Sequence, residues 1–323
     1  RTQLLLHIYG YRMTQLIYVA AELKIADLLI AGPKHVSDLA LQTESHEHSL
    51  YRVLRALTTI NLFRESEEGF HLTELSRYLL TDDPDSVRAL ALMRGEEVNW
   101  KPWGELLHAV KTGESAFSKV FGMDLFGYYE QHPRSGQRFN EGMSLTTKHD
   151  IQSILESYDF SSVQTIVEVG GGLGRFLYSI LEKYPNKRGI LFDLPHVVQD
   201  APALCKQFRV EGRCQIVGGH FFDSVPAGGD LYILKRIVHD WDDKRSIQIL
   251  QNCRKAISNT GKVLLCEMMV QDDFSDPQGK VNDVHMMVVT PGGRERTKKE
   301  FSNLLESSGF ALARTIQAKE GLW

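Results

Sequence analysis

Between residues 165 and 270 five apolar, strand-like runs, "TIVEVG", "GILFDL", "QIVGGHF", "DLYILKRIV" and "KVLLCEMMV", alternate with helical stretches such as "GRFLYSILEKY" and "KRSIQILQNCRKAIS". No other feature constrains the fold so tightly. Short runs that are apolar nearly throughout suit strands covered on both faces, and a helix between successive strands makes the sheet mostly parallel. The expectation is a Rossmann-like, doubly wound α/β sheet. In such sheets ligands bind beyond the carboxyl ends of the strands.

The loop after the first strand narrows the ligand class. It reads "VEVGGGLGRF", which places Glu168, Gly170, Gly172 and Gly174 in the pattern E-x-G-x-G-x-G. A dinucleotide fingerprint, G-x-G-x-x-G, fails here: counted from Gly170 its third glycine falls on Arg175. Glycines at these positions let the backbone approach a ligand closely, and Asp193, ending the second strand, can accept from two ribose hydroxyls. A nucleoside without a pyrophosphate fits best. The plainer alternative is a tight turn that needs glycine for packing alone.

Residues 1–145 read as helical. "VSDLALQTESHEHSLYRVLRALTTINLFRESEEGFHLTELSRYLL" suggests helix, turn, helix and a short hairpin over "ESEEG", a winged-helix pattern. DNA binding is the obvious alternative, but the would-be wing carries Glu65, Glu67 and Glu68, the wrong sign for phosphates. A dimerisation scaffold is the preferred reading. The opening "LLLHIYGYRMTQLIYVAAELKIADLL" supports it, because its apolar residues cover most of a helix circumference while Arg12, Glu22, Lys24 and Asp27 rule out a membrane span. Beginning at Arg1 rather than Met, the sequence is expected to lack its natural N-terminus. Nothing in it reads as a targeting segment.

At 323 residues the chain is long enough for two domains, set at 1–145 and 146–323. With 37 Lys+Arg against 41 Asp+Glu, its formal charge of −4 favours neither nucleic acid nor an anionic membrane. Cys205, Cys214, Cys253 and Cys266 lack CxxC spacing and read as reduced thiols of a cytoplasmic protein. His46 and His48 fall on a surface helix and read as solvated, so no metal site is expected.

"VEVGGGLGRF", "FDLPHVV", "GGHFFDSVPAGGD", "LKRIVHDWDD" and "PGGRERTKKEF", in this order and spacing, resemble the S-adenosylmethionine-dependent small-molecule O-methyltransferases over nearly the whole chain. These include plant caffeic acid and isoflavone enzymes, acetylserotonin methyltransferase and bacterial natural-product tailoring enzymes. The resemblance implies a class I methyltransferase sheet, an all-helical winged-helix dimerisation domain, a homodimer, and S-adenosylmethionine as methyl donor with S-adenosylhomocysteine as product.

It also implies site residues. His239 aligns with the family's general base, and Glu267 and Glu295 with its two flanking acids. The cofactor positions are Glu168, Gly170, Gly172, Asp193, Leu194, His220, Phe221, Phe222, Lys235 and Thr147, with His220 standing where relatives usually carry an aspartate. Phe126, Phe139, Met143, Arg236, Asp240, His285, Met286 and Thr290 should meet an aromatic, hydroxylated acceptor. Chemistry supports the histidine independently: a phenol of pKa about 10 is a poor nucleophile until a base removes its proton, and neutral imidazole suits that task. The bland alternatives are that "HDWDD" is a helix-start cluster, with Asp242 and Asp243 as caps, and that Lys235 snorkels. A winged-helix regulator that senses the cofactor, or a relative with N-methylation or hydroxylation chemistry, are the rival functions.

Overall fold

The computed structural model describes residues 1–271, 277–318 and 322–323, without the side chains of Thr146, Thr147, His149, Pro277 and Gln278. The chain divides into two compact units, Arg1–Trp100 with Gln137–Leu145, and Lys101–Gly136 with Thr146–Trp323.

In the first unit, helices α1 (Gly10–Glu22), α2 (Val36–Gln42) and α3 (Glu47–Thr58) precede a hairpin of β1 (Phe63–Ser66) and β2 (Gly69–Leu72). The hairpin turns over the expected "ESEEG". On α3 Leu50, Leu54 and Leu57 recur at helical spacing and are buried, joining Ala20, Ile25, Leu39, Phe63 and Phe70 in one core. The opening apolar segment breaks at Tyr9 into Thr2–Ile8 and α1. Leu4 (63% exposed), Leu6, Ile8 and Tyr11 stay outside the core of the single chain.

The second unit holds the sheet. Strands β3 (Thr165–Val169), β4 (Arg188–Asp193), β5 (Cys214–Gly218), β6 (Leu231–Lys235) and β7 (Lys262–Cys266) lie in the order β5-β4-β3-β6-β7. All four pairings are parallel. Alternation sorts the side chains to two cores: Ile166, Leu231 and Ile233 on one face, Val167, Val169, Tyr232 and Leu234 on the other. The order reverses between β3 and β6, which places the crevice for a ligand over their carboxyl ends. Helices α4 (Asp243–Ala256) and α6 (Lys298–Ser307) cover the face of Val167 and Tyr232, and α5 (Pro277–Val289) comes between β7 and α6 in the chain.

The fourth strand is shorter than the sequence suggests. Arg236 takes a left-handed backbone, φ 53°, which cannot continue a strand. The chain then turns through a 3₁₀ segment, Val238–Asp240. His239 therefore stands on this turn, beyond the strand end itself.

Candidate active site

The 3₁₀ turn is anchored from below by Arg296. This fully buried side chain donates to the carbonyls of Val238 (2.9 Å) and Trp241 (2.8 Å) and pairs with Asp243. From the other side, Arg294 N donates to His239 O at 2.8 Å. Gly293 is required for that approach, since a Cβ there would lie 2.6 Å from His239 O and 2.2 Å from Thr290 Oγ1. Asp242 caps α4, accepting from Arg245 N, whereas Asp243 binds Arg296 and Arg294.

So held, His239 is buried among three carboxylates. Its Nδ1 lies 3.1 Å from Glu295 Oε1 and 3.5 Å from Glu267 Oε2, and its Nε2 lies 3.5 Å from Asp240 Oδ1. Glu267 arrives from the end of β7, and its Oε1 accepts from Ile237 N and Val238 N. Burial alone would lower the histidine pKa, but Asp240, Glu267 and Glu295 outweigh it and raise it to about 9. Burial pushes Asp240 up to about 7 and raises Glu267 as well. The donor atoms of His239, Glu267 and Glu295 lie within 4.8 Å of one another, a grouping able to hold a cation as well as a proton. Spacing along the chain does not reveal it, because the three come from separate elements. His46, by contrast, is exposed and bonds Ser49, as a solvated residue would.

On β3 and its loop, Gly170, Gly172 and Gly174 have φ 70°, 59° and 83°, left-handed values that side chains disfavour. Asp193 Oδ2 accepts from Gly172 N and Oδ1 from Leu194 N, both at 2.7 Å. Each oxygen keeps a second lone pair, so the carboxylate can still receive two ribose hydroxyls. A Cβ on Gly172 would meet nothing within 4 Å, so the loop is open where a ligand would approach. This donor and acceptor set fits a nucleoside cofactor. Glu168 is buried, accepts from Leu177 N at 3.1 Å, and is pushed up to about 8 by burial. Lys235 is buried rather than snorkelling and lies 3.4 Å from Asp150 Oδ2, which Arg236 Nε also binds at 3.1 Å.

Several of the aromatic positions form one group around Trp241. Phe221 and Phe222 meet Trp241 edge-on at 5.9 and 4.7 Å, Phe126 stacks on Trp241 at 5.6 Å, and exposed His220 lies beside Phe222. His285 stacks on Trp103, whose indole N–H donates to its Nδ1 at 3.2 Å. Met286 is buried on α5, and the Thr290 hydroxyl bonds Met286 O and Gly293 N. Phe139 and Met143 belong to the first unit, and the Thr147 side chain lies outside the described residues. Arg296, Asn282 and Asp150 complete the surroundings of the site without having been singled out in the sequence.

Comparison with known proteins assigns the class. Residues 103–311 match the family model for the O-methyltransferase domain, and residues 5–82 that for the O-methyltransferase dimerisation domain. The chain belongs to the S-adenosylmethionine-dependent O-methyltransferases. It is 45% identical over 320 residues to the phenazine O-methyltransferase of Lysobacter antibioticus, covering 99% of this chain and 93% of the relative. The crystal structure of LaPhzM superposes with a TM-score of 0.96 at 45% identity, over 99% of this chain and 96% of that one. An O-methyltransferase from neocarzinostatin biosynthesis, solved with S-adenosylmethionine and 2-hydroxy-5-methyl naphthoic acid, gives 0.80 at 29% identity, over 93% and 90%.

Proposed function

We propose that this enzyme methylates a hydroxyl, phenolic in character, on a flat aromatic natural product, with His239 as general base and no metal ion in the reaction. The single observation that carries the reading is the buried imidazole of His239, whose Nδ1 faces Glu295 and Glu267 while Nε2 is on the opposite edge of the ring. A carboxylate on Nδ1 fixes the tautomer and stabilises the imidazolium, and Nε2, which lies 3.5 Å from Asp240 Oδ1, takes the hydroxyl proton. When bound, S-adenosylmethionine supplies an electrophilic methyl group and leaves as S-adenosylhomocysteine. The ribose is held by Asp193, and Phe221 and Phe222 offer faces to the adenine.

Metal-free action is supported by the partners of the acids. Glu267 Oε1 is taken by two main-chain amides and Glu295 Oε1 by Asn282 and His239, which leaves one oxygen of each acid without a hydrogen bond among the described residues, so the chelator arm of the test below decides between proton and cation. A flat acceptor is supported by the names of the relatives, which act on or bind phenazine and naphthoic acid ligands, and by the stacked pairs Phe126–Trp241 and Trp103–His285. The protein acts as a homodimer through its dimerisation domain, with exposed Leu4, Leu6 and Ile8 as apolar interface material, and works in the reducing cytoplasm with its four free thiols. It binds no nucleic acid, because Glu65, Glu67 and Glu68 are exposed on the hairpin.

The test is incubation with methyl-labelled S-adenosylmethionine and a panel of hydroxylated phenazines, naphthoates and benzoates, with and without EDTA. Label should appear in a product methyl ether, unaffected by the chelator. Transfer abolished by EDTA and restored by a divalent ion would overturn the metal-free reading, and label on nitrogen alone would overturn the hydroxyl.

A further inference from the structure

The three carboxylates around His239 are not secured alike. Asp240 sits on the histidine's own turn, and Glu267 receives two main-chain N–H groups. No main-chain amide donates to the carboxylate of Glu295 among the described residues. Its Oε1 lies 3.1 Å from His239 Nδ1 and accepts from Asn282 Nδ2, while its buried Oε2 has no hydrogen-bond partner among the described residues. Asn282 is on α5, and its neighbour Asp283 accepts the backbone N–H of Glu295 at 2.9 Å. One helix thus holds residue 295 by side chain and by main chain.

We propose that Asn282 is a positioning residue for methyl transfer: its amide holds Glu295 Oε1 on the Nδ1–H of His239, so that the base keeps one tautomer and one orientation. The proposal rests on the reading of His239 as base. An amide is the right donor for this place. A buried carboxylate with a single partner is costly, and it relieves that cost by rotating away or by drawing the Nδ1 proton to itself. Either change loosens the imidazole. A lysine or arginine donor would prevent this but would cancel the negative charge that stabilises the imidazolium. Asn282 supplies a hydrogen bond and no charge. Outer partners of metal-bound histidines contribute about 10- to 100-fold, and the lower end of that range is the expectation for this metal-free analogue.

The test compares Asn282→Leu, which removes the donor, with Asn282→Asp, which keeps the shape and replaces the donor by an acceptor. Both should lower kcat by about 10-fold, with KM for acceptor and for S-adenosylmethionine changed less than about twofold. Asn282→Asp should become at least as impaired as Asn282→Leu as pH rises and the carboxyl pair loses its shared proton. In the S-adenosylhomocysteine complex the far-downfield proton resonance of His239 Nδ1–H, identified by its loss in His239→Ala, should shift or vanish in both variants. Calorimetric binding of S-adenosylhomocysteine verifies that each variant is folded. If both keep wild-type kcat and an unmoved resonance, Asn282 merely packs and the proposal falls. The resonance is read without turnover. A wild-type protein that methylates no hydroxylated acceptor, yet loses the resonance on Asn282→Leu, overturns the functional reading while sustaining the positioning role.

Discussion

Glu267 meets His239 with one oxygen while binding the histidine's own turn with the other: Oε2 lies 3.5 Å from Nδ1, and Oε1 accepts from Val238 N at 2.8 Å. The carboxylate therefore fixes where the ring sits and contributes to its charge. Because the surrounding anions raise His239 to about 9, the imidazole is mostly protonated below that pH. The neutral base grows tenfold per unit as pH rises, so kcat/KM should climb up to about 9 and then level. Glu267→Gln keeps an oxygen for the two amides but removes one anion. The midpoint should move to lower pH with the same acceptor, and an unmoved midpoint in the pH–rate profile would show that the limb belongs to the acceptor's own ionisation.

Replacing the proposed base separates chemistry from binding. His239→Ala should retain S-adenosylhomocysteine affinity while kcat falls by about 10² to 10⁴, roughly 3 to 5 kcal/mol of transition-state stabilisation. The variant should recover partly at high pH with a phenol of ordinary acidity, where phenolate forms unaided. A near wild-type rate at neutral pH would remove His239 from the mechanism.

The sheet was legible because its central strands β3 and β6 are buried on both faces, and runs such as "LYIL" announce that with four apolar residues in succession. The glycine loop was legible for a similar reason, since left-handed backbone selects glycine. The end of β6 was not. "LKRIV" carries no residue that favours a left-handed conformation, so the stop at Arg236 comes from tertiary contacts, including Arg236 N on Cys266 O and its guanidinium on Asp150. Arg296 was missed because a cation in "GGRERT" reads as surface charge. Its burial depends on carbonyls more than fifty residues away in sequence. Asn282 belongs to no pattern, and only the fold brings it to Glu295.

Arg296 yields a prediction about stability. Its guanidinium serves the carbonyls of Val238 and Trp241 and the carboxylate of Asp243. Arg296→Met would take the shortest, charged donor from each carbonyl and leave only Trp241 N on Val238 O and the single Ser246 hydroxyl shared between the two, at 3.2 to 3.3 Å, at about 1 to 2 kcal/mol for each weakened group. Asp243 adds little, being half exposed. Unfolding in urea should show a loss of about 2 to 4 kcal/mol. Arg296→Lys should restore only part of it, because an ammonium cannot span three partners in one plane. A loss under about 0.5 kcal/mol would place the turn's support elsewhere.

The last prediction concerns the cofactor loop. Asp193 closes the loop by accepting from Gly172 N and Leu194 N, and in the proposed reading its remaining lone pairs receive the ribose. Asp193→Ala should therefore weaken S-adenosylhomocysteine binding by roughly 2 to 4 kcal/mol, since it removes ribose contacts and frees the glycine that must stay in place. Asp193→Asn tests the division of labour, because its carbonyl can accept one of the two N–H groups while its NH₂ opposes the other. It should bind between the wild type and Asp193→Ala. Burial raises the Asp193 carboxyl above the ordinary aspartate range. Acidification should then weaken wild-type binding at a higher pH than a solvated aspartate would, as the proton occupies an acceptor. The alanine variant should lack that step. Calorimetry across pH reads all three results, and an unchanged affinity in Asp193→Ala would mean that the ribose is held elsewhere.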